Sequence, residues 1–389
     1  MDKIKIVDYF SINTFHEVFN TSLILMCAKI FSEVKYLSGK TASRNNRKLS
    51  ALYAPNTANV TFKTKHVCEK DSKAGAFIRT IVGFFTTIYE YIFSKPRQVI
   101  IYNYTNPLSM PVILLLNFVL RKKIIFTMHG ELELQYQHIP LTRPAGWYKQ
   151  CHTLSLKYLL RHNTASVLVL GDSIKDNLIK LFPQISQQII SINHPYFIEK
   201  QEYTVHPISV PLKIGTVGVM KKEKGSDYLI ALSKRLEKEI KENKVILYSI
   251  GRTEGVDITQ QPNIQWIGHK KGLSRDDFET HIKNLDFILY LYPTDSYKLT
   301  ASGAIMDAIK LQKPIISLNN DYFNGLFKEN PIGYTFDTLE DIVTCIHQLL
   351  LKENFTLNFQ SGYNETVKKI SIQHNANILK QELIQKHII

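Results

Sequence analysis

Short runs of apolar residues alternate along the whole chain with longer stretches in which apolar residues recur every three or four positions. The runs Lys5–Tyr9, Val99–Tyr102, Lys123–Thr127 and Ser166–Leu170 read as buried strands. Between them lie helical patterns such as Phe15, Phe19 and Leu23. The second half repeats the scheme with Lys213–Val217, Lys244–Ile250, Ile264–Ile267, Phe287–Leu291 and Pro314–Ser317. Strands alternating with helices of this length predict parallel sheets covered by helices on both faces. Tyr196–Pro211 has no period and few strong apolar residues, so it reads as a linker, and Ser361–Ile389 reads as terminal helices. The pattern therefore predicts an α/β protein of two Rossmann-like domains facing a central cleft. The first domain is expected over residues 1–200 and the second over 201–365, with the helix at 366–389 returning to the first.

A chain of 389 residues, 44% hydrophobic and 21% charged, fits two globular domains and excludes a disordered or collagen-like protein. Cys27, Cys68, Cys151 and Cys345 are scattered, without disulfide or zinc spacing, which points to a reducing compartment. The amino-terminal residues read as a strand rather than a signal peptide, and the mainly apolar stretch Pro111–Leu120 is too short to span a bilayer. A soluble, cytoplasmic protein is the expectation.

The net charge of +14 is unevenly shared. Residues 1–200 hold 25 Lys and Arg against 12 Asp and Glu, and residues 201–389 hold 23 against 22. A basic first half suits nucleic acid, an anionic membrane or a phosphorylated substrate. No zinc module or RNA-binding aromatic signature is present, which argues against nucleic acid. Phe77–Phe93 carries Phe77, Ile81, Phe84, Phe85, Ile88, Tyr91, Ile92 and Phe93, with Lys70, Lys73, Arg79, Lys95 and Arg97 on or around it. Such a helix either lies in a headgroup layer or is an ordinary buried helix.

Ligands on doubly wound sheets bind beyond the carboxyl ends of the strands, so chemistry is sought there. After the first strand of the second half come Gly218, Lys221, Lys222, Lys224 and Gly225, then a helix from Ser226. Glycine allows close backbone approach, and a helix start with lysines attracts anions. The next strands end in Gly251-Arg252 and Gly268-His269. The fourth leads through Tyr292, Asp295, Lys298, Ser302 and Gly303 to Asp307 and then Lys313-Pro314. Ser302-Gly303 before a helix would offer amides to a phosphate, and Asp307 could accept hydrogen bonds from sugar hydroxyls. Gly215-x-x-Gly218 is not the dinucleotide fingerprint of a nicotinamide dehydrogenase.

This run resembles the carboxy-terminal domain of GT-B glycosyltransferases, particularly the retaining family of sucrose and glycogen synthases and bacterial polysaccharide enzymes. Lys224-Gly225 follows Gly218 at the family's spacing, and Asp307 stands seven residues before Pro314, where the family has the second Glu of its Glu-x7-Glu motif. The family's Arg is Val219 here, and its first Glu is Leu299, with Asp295 and Lys298 the nearest substitutes. The resemblance implies that Lys224 holds the donor diphosphate and that Asp307 holds the ribose. It also implies that Gly218, Lys221, Lys222, Gly251, Arg252, His269, Lys298, Ser302 and Gly303 surround the donor, with Asp295 near its sugar.

In the first half, Thr127-Met-His129-Gly130-Glu131 follows a strand. By the same resemblance His129 donates a hydrogen bond to the donor sugar and Glu131 orients it or meets the acceptor. Asn13 and His16 occupy the acceptor-side loop after the first strand, where capping of the first helix by Asn13 or Thr14 is the structural alternative. The implied activity is transfer of a sugar, with retention, from a nucleotide sugar to a glycan or lipid-diphosphate-linked acceptor in surface polysaccharide synthesis, such as capsule or lipopolysaccharide. No Asp-x-Asp occurs, so neither metal nor other cofactor is expected. Peripheral attachment to the inner membrane face is a further expectation. The rival readings are a non-catalytic partner subunit of the same fold and a nucleotide-sugar epimerase.

Overall fold

The computed structural model describes residues 3–199, 202–208, 210–269, 272–352 and 355–389. It divides into two compact units. The first holds the residues up to Phe197 together with Leu299–Ala301 and Lys369–Ile389, and the second holds Ile198–Lys298 and Ser302–Lys368. The boundary expected between residues 200 and 201 lies outside the described residues, as does Ser209 of the expected linker.

The first unit is built on seven parallel strands, β1 (Lys3–Asp8), β2 (Glu33–Ser38), β3 (Val60–Thr64), β4 (Gln98–Tyr102), β5 (Ile124–Thr127), β6 (Ser166–Val169) and β7 (Ile189–Ser191). Their order is β3-β2-β1-β4-β5-β6-β7. The central strands are continuous apolar runs because helices cover both faces; Ile4, Ile6, Ile100 and Ile101 are wholly buried. The crossovers are α1 (Glu17–Ile30), α2 (Lys40–Tyr53), α3 (Lys73–Ile92), α4 (Ser109–Leu120), α5 (Pro144–Leu154) and α6 (Asp172–Leu181). Right-handed connections put α1 and α2 on one face and α3 to α6 on the other. The strand order reverses between β1 and β4, which opens a crevice at their carboxyl ends.

The second unit has a six-stranded parallel sheet in the order β11-β10-β9-β12-β13-β14. A short strand β8 (His206–Ile208) precedes β9 (Leu212–Val217), β10 (Val245–Ile250), β11 (Gln265–Ile267), β12 (Phe287–Tyr290), β13 (Ile315–Leu318) and β14 (Gly333–Phe336). Part of the expected linker is thus strand, since β8 pairs antiparallel with β15 (Phe355–Leu357). Its helices are α7 (Ser226–Arg235), α8 (Glu237–Lys241), α9 (Arg275–Lys283), α10 (Ile305–Lys310), α11 (Asp321–Phe327), α12 (Leu339–Leu350) and most of α13 (Gln360–Ile370), while α14 (Ile372–Gln385) belongs to the first unit. Leu229 and Leu232 of α7 meet Ile214, Leu247, Phe287 and Leu289 of the sheet and Ile342 and Ile346 of α12 in one core. Here the order reverses between β9 and β12. In the first unit α14 lies on α1, and Leu379 and Leu383 join Leu23 and Ile24 in its core. That packing on two sides explains why α1 is apolar around most of its circumference.

Candidate functional site

In the second unit the loop leaving β9 forms a cradle. Gly218 N donates to Ile250 O at 2.8 Å, and Met220 N to Arg252 O at 2.7 Å, so the loop runs beside the end of β10. A single 3-10 turn, Lys222–Lys224, then leads to Gly225 at φ 83°. A Cβ on Gly225 would lie 1.8 Å from Leu291 O, so no other residue fits between this turn and the exit of β12. Gly251, at φ 128°, is pressed equally closely onto Gly218 O. These contacts are why successive strands end in glycine.

The Lys224 amine is carried over this floor. Its Nζ lies 3.8 Å from where a Gly218 Cβ would be and 6.0 Å from the centre of the Tyr292 ring. Burial, aided by repulsion from Lys221, pushes its pKa down to about 8, with Asp307 and Glu254 partly opposing. Among the described residues no carboxylate lies within ion-pair distance of it. A charged amine that is poorly solvated and unpaired is a seat for an anion.

The other predicted donor residues are distributed unevenly around it. Lys221 approaches Glu223 at 4.0 Å and Arg252 approaches Glu254 at 3.5 Å, both near the surface. Lys222 and His269 are exposed. Ser302 is buried and its Oγ shares a 3.0 Å hydrogen bond with the Tyr292 hydroxyl, whereas the space above Gly303 is open. Asp307, in the first turn of the six-residue α10, is nearly buried and accepts from Arg275 Nη2 at 2.6 Å. Arg275 also pairs with Glu279, which pairs with Lys310. Burial raises the Asp307 pKa and Arg275 opposes that rise. Asp295 is exposed and Lys298 half-buried on the loop after β12. That loop is tied to the cradle by Ser296 Oγ donating to Glu223 O at 3.2 Å. Sequence reasoning missed Arg275 and gave no role to Tyr292, although Tyr292 opens the run that follows the fourth strand.

In the first unit the polar residues gather where β1 and β4 diverge. The buried Asp8 carboxylate accepts from Ser11 N at 2.9 Å, Phe10 N at 3.1 Å and Asn103 Nδ2 at 2.9 Å, which fixes the loop leaving β1. His129 Nε2 lies 2.9 Å from Asn103 O. A carbonyl oxygen can only accept, so Nε2 carries the hydrogen and neutral His129 offers Nδ1 as an acceptor. In that tautomer Nε2 is engaged within the unit and Nδ1 is the ring nitrogen left to meet a ligand. Glu131 Oε1 accepts from His129 N at 3.0 Å, and burial raises the pKa of this carboxyl.

His16 and His194 crowd the same corner. The His16 and His129 rings are 4.9 Å apart, and Phe19 packs on His129 and His194 at 5.0 and 5.2 Å. Part of His16 reaches solvent, but its ring is enclosed by Phe15 and His129. That enclosure, ahead of repulsion from His129 and His194, holds its pKa well below the usual value. Burial lowers His194 to about 4. Neither Asn13 nor Thr14 caps α1; its N-cap is His16 itself, at φ 55° and without a side-chain capping bond. Asn13 is exposed, also with positive φ, and its carbonyl accepts from Asn45 Nδ2. Glu133 Oε2 accepts from Leu299 N and Thr300 Oγ1, so Leu299 is a buried anchor and not a sugar-binding acid.

Beside the histidines lies a cavity of about 430 Å³. Its walls include Tyr9, Phe10, Arg79, Tyr104, Glu131 and Tyr148, with Lys73 and Phe77 also lining it. Arg79 is almost wholly buried; Nη1 donates to Cys68 O and Lys70 O at 2.9 Å, while Nε has no partner among the described residues. Aromatic walls with a few polar groups make a ligand-sized pocket. No group of three or more His, Cys, Asp or Glu among the described residues is arranged to hold a metal.

No protein-family model matches the chain, and no curated protein matches it either. Solved structures do match along its whole length. A TarM variant from S. aureus, crystallised with fondaparinux, α-GlcNAc-glycerol and UDP, is 12% identical over 99% of each chain, with a TM-score of 0.61. HepE from Anabaena, in complex with UDP-glucose, is 10% identical over 100% of each chain, at 0.57. A Listeria monocytogenes protein proposed to be a UDP-N-acetylglucosamine 2-epimerase is 12% identical over 99% of this chain and 96% of its own, at 0.54. The chain shares the GT-B fold of these structures.

Proposed function

We propose that the protein is a glycosyltransferase that moves a sugar from a nucleoside-diphosphate sugar to a glycan or lipid-diphosphate-linked acceptor, with retention of the anomeric configuration. The observation that carries this reading is the unpaired Lys224 amine over the glycine floor at the β9/β12 crevice. Charge develops on the diphosphate as the glycosidic bond breaks. An amine already desolvated and in place stabilises it without reorganisation. Lys221, Lys222 and Arg252 add positive charge at the rim, and the space where a Cβ of Gly303 would stand is open. The Arg275–Asp307 pair offers both a donor and an acceptor to the ribose or sugar hydroxyls. In the first unit His129, held by Asn103 O at Nε2 and by Glu131 at its amide, offers Nδ1 to a sugar hydroxyl. The acceptor enters through the aromatic pocket beside Glu131, where Arg79 and Lys73 suit a phosphorylated carrier. Structural neighbours crystallised with UDP and UDP-glucose support the nucleotide-sugar donor.

His129→Ala is expected to lower kcat by more than about tenfold while changing donor affinity little, because its contact matters most as the sugar flattens. Steady-state kinetics with separate donor titration decides this. NMR of the product should give the configuration of the donor; an inverted product removes the retaining assignment. Transfer is also expected to persist in a chelator, since lysines supply the charge on the diphosphate. Loss of activity that magnesium restores would contradict that. An epimerase shares the donor cradle but needs no acceptor, so nucleotide release that requires an acceptor separates the two.

A further inference from the structure

Helix α3 is built inside out. Its outward stripe is Phe77, Ile78, Ile81, Phe85, Tyr89, Ile92 and Phe93, each more than a third exposed, with Phe85 at 65% and Phe93 at 69%. The spacing of three and four residues makes this one continuous helical face. The inward face is polar instead, carrying Arg79, Thr80, Thr87 and Glu90.

These inward side chains are tied within the first unit. Arg79 is held by two backbone carbonyls, and Thr87 Oγ1 donates to Gly83 O. Glu90 pairs with Lys5 and Lys65 and accepts from the Tyr9 hydroxyl. Tyr91 donates to Asn117 of α4, and Lys122 Nζ donates to Tyr91 O, Ile92 O and Ser94 O at the end of the helix. Rolling α3 to hide its apolar stripe would strand a buried ion-pair network. The helix therefore keeps its apolar face outward. The adjoining α4 adds exposed Leu115, Phe118, Val119 and Leu120 to it. An exposed apolar surface of this extent marks a place of contact.

The charges around it identify the contact. Exposed Lys73 stands at the start of α3, Lys95 and Arg97 follow its end, and Arg121 follows α4. Asp71 is the nearest exposed acid in sequence, and the outward stripes themselves carry none. A second copy of this chain would bring two basic rims together. An anionic bilayer supplies both an apolar layer for the aromatic rings and negative headgroups for the rim. We propose that the outward face of α3 and α4 docks on an anionic lipid bilayer, with Phe85 and Phe93 entering the headgroup layer and Lys95, Arg97 and Arg121 meeting lipid phosphates. Phe77 belongs both to this face and to the wall of the aromatic pocket, so the pocket mouth comes to lie at the lipid surface. The docking stands independently of the glycosyltransferase reading.

The test is co-sedimentation of the full chain with phosphatidylcholine vesicles made with and without phosphatidylglycerol. The wild type should bind the anionic vesicles at low salt and be released as salt shortens the Debye length. Phe85→Ser with Phe93→Ser should weaken binding at least about tenfold, from lost apolar burial. Lys95→Glu with Arg97→Glu should do the same through charge. Both pairs are exposed, so their melting temperatures should match the wild type, which separates lost docking from misfolding. Absence of wild-type binding at low salt overturns the proposal, as does binding unchanged in both folded variants. So does a wild-type dimer that the Phe85→Ser/Phe93→Ser variant dissolves, since the face would then be an interface between copies.

Discussion

Lys224→Ala is expected to lower the rate of sugar transfer at least about a hundredfold, the scale on which one electrostatic stabiliser of a leaving group acts. The fold should survive, because the Lys224 amine takes part in no ion pair among the described residues and sits over a glycine floor. The same amine gives the free enzyme a pH signature. Its pKa is pushed down to about 8. The cationic form is the one that meets a diphosphate, so kcat/KM for the donor should fall as pH rises through about 8. That alkaline limb should move upward in Lys224→Arg, whose guanidinium stays charged. Wild-type turnover in Lys224→Ala would remove the residue from the mechanism.

Stability is expected to drop steeply on the acid side of neutrality. His152 is wholly buried, neither ring nitrogen has a hydrogen-bond partner among the described residues, and burial lowers its pKa to about 4. His194 is lowered to a similar value. Below the unfolded pKa of about 6.5 the unfolded chain takes up protons that the native rings refuse, so stability is lost as pH falls from there to about 4. For His152 the loss amounts to about 3 kcal/mol, and for the partly exposed His194 to less. Urea unfolding at pH 7 and pH 4.5 reads the difference, and His152→Leu should shrink it. A midpoint that does not move between these pH values would contradict the buried, neutral state of both rings.

The central strands were legible in the sequence because burial on both faces makes them unbroken apolar runs; β1, β4, β5, β9 and β12 all lie within two residues of their expected limits. The strands overlooked sit at or near sheet margins. β3 (Val-Thr-Phe-Lys-Thr) and β14 (Gly-Tyr-Thr-Phe) keep one side in solvent and mix polar residues into the run. The cradle was legible as well, because glycine is demanded wherever backbone meets backbone, as at Gly225 against Leu291. What contact alone creates was not legible. Arg275 reaches Asp307 from another helix, 32 residues away in sequence. The hydrogen-bond role of His129 is set by a carbonyl on β4's exit loop. The amphipathic pattern of α3 was plain, but a stripe of apolar residues does not say which way it faces. That direction is decided by Glu90 and Arg79, whose partners come from elsewhere in the chain.

The central claim is that the β9/β12 crevice binds the diphosphate of a nucleotide sugar through Lys224. Calorimetric titration of the wild type and Lys224→Ala with UDP, GDP, ADP and TDP tests it most directly. Saturable binding of at least one of these to the wild type, weakened by about tenfold or more in Lys224→Ala, is the predicted result. Failure of all four to bind, or equal affinity in both proteins, would contradict it.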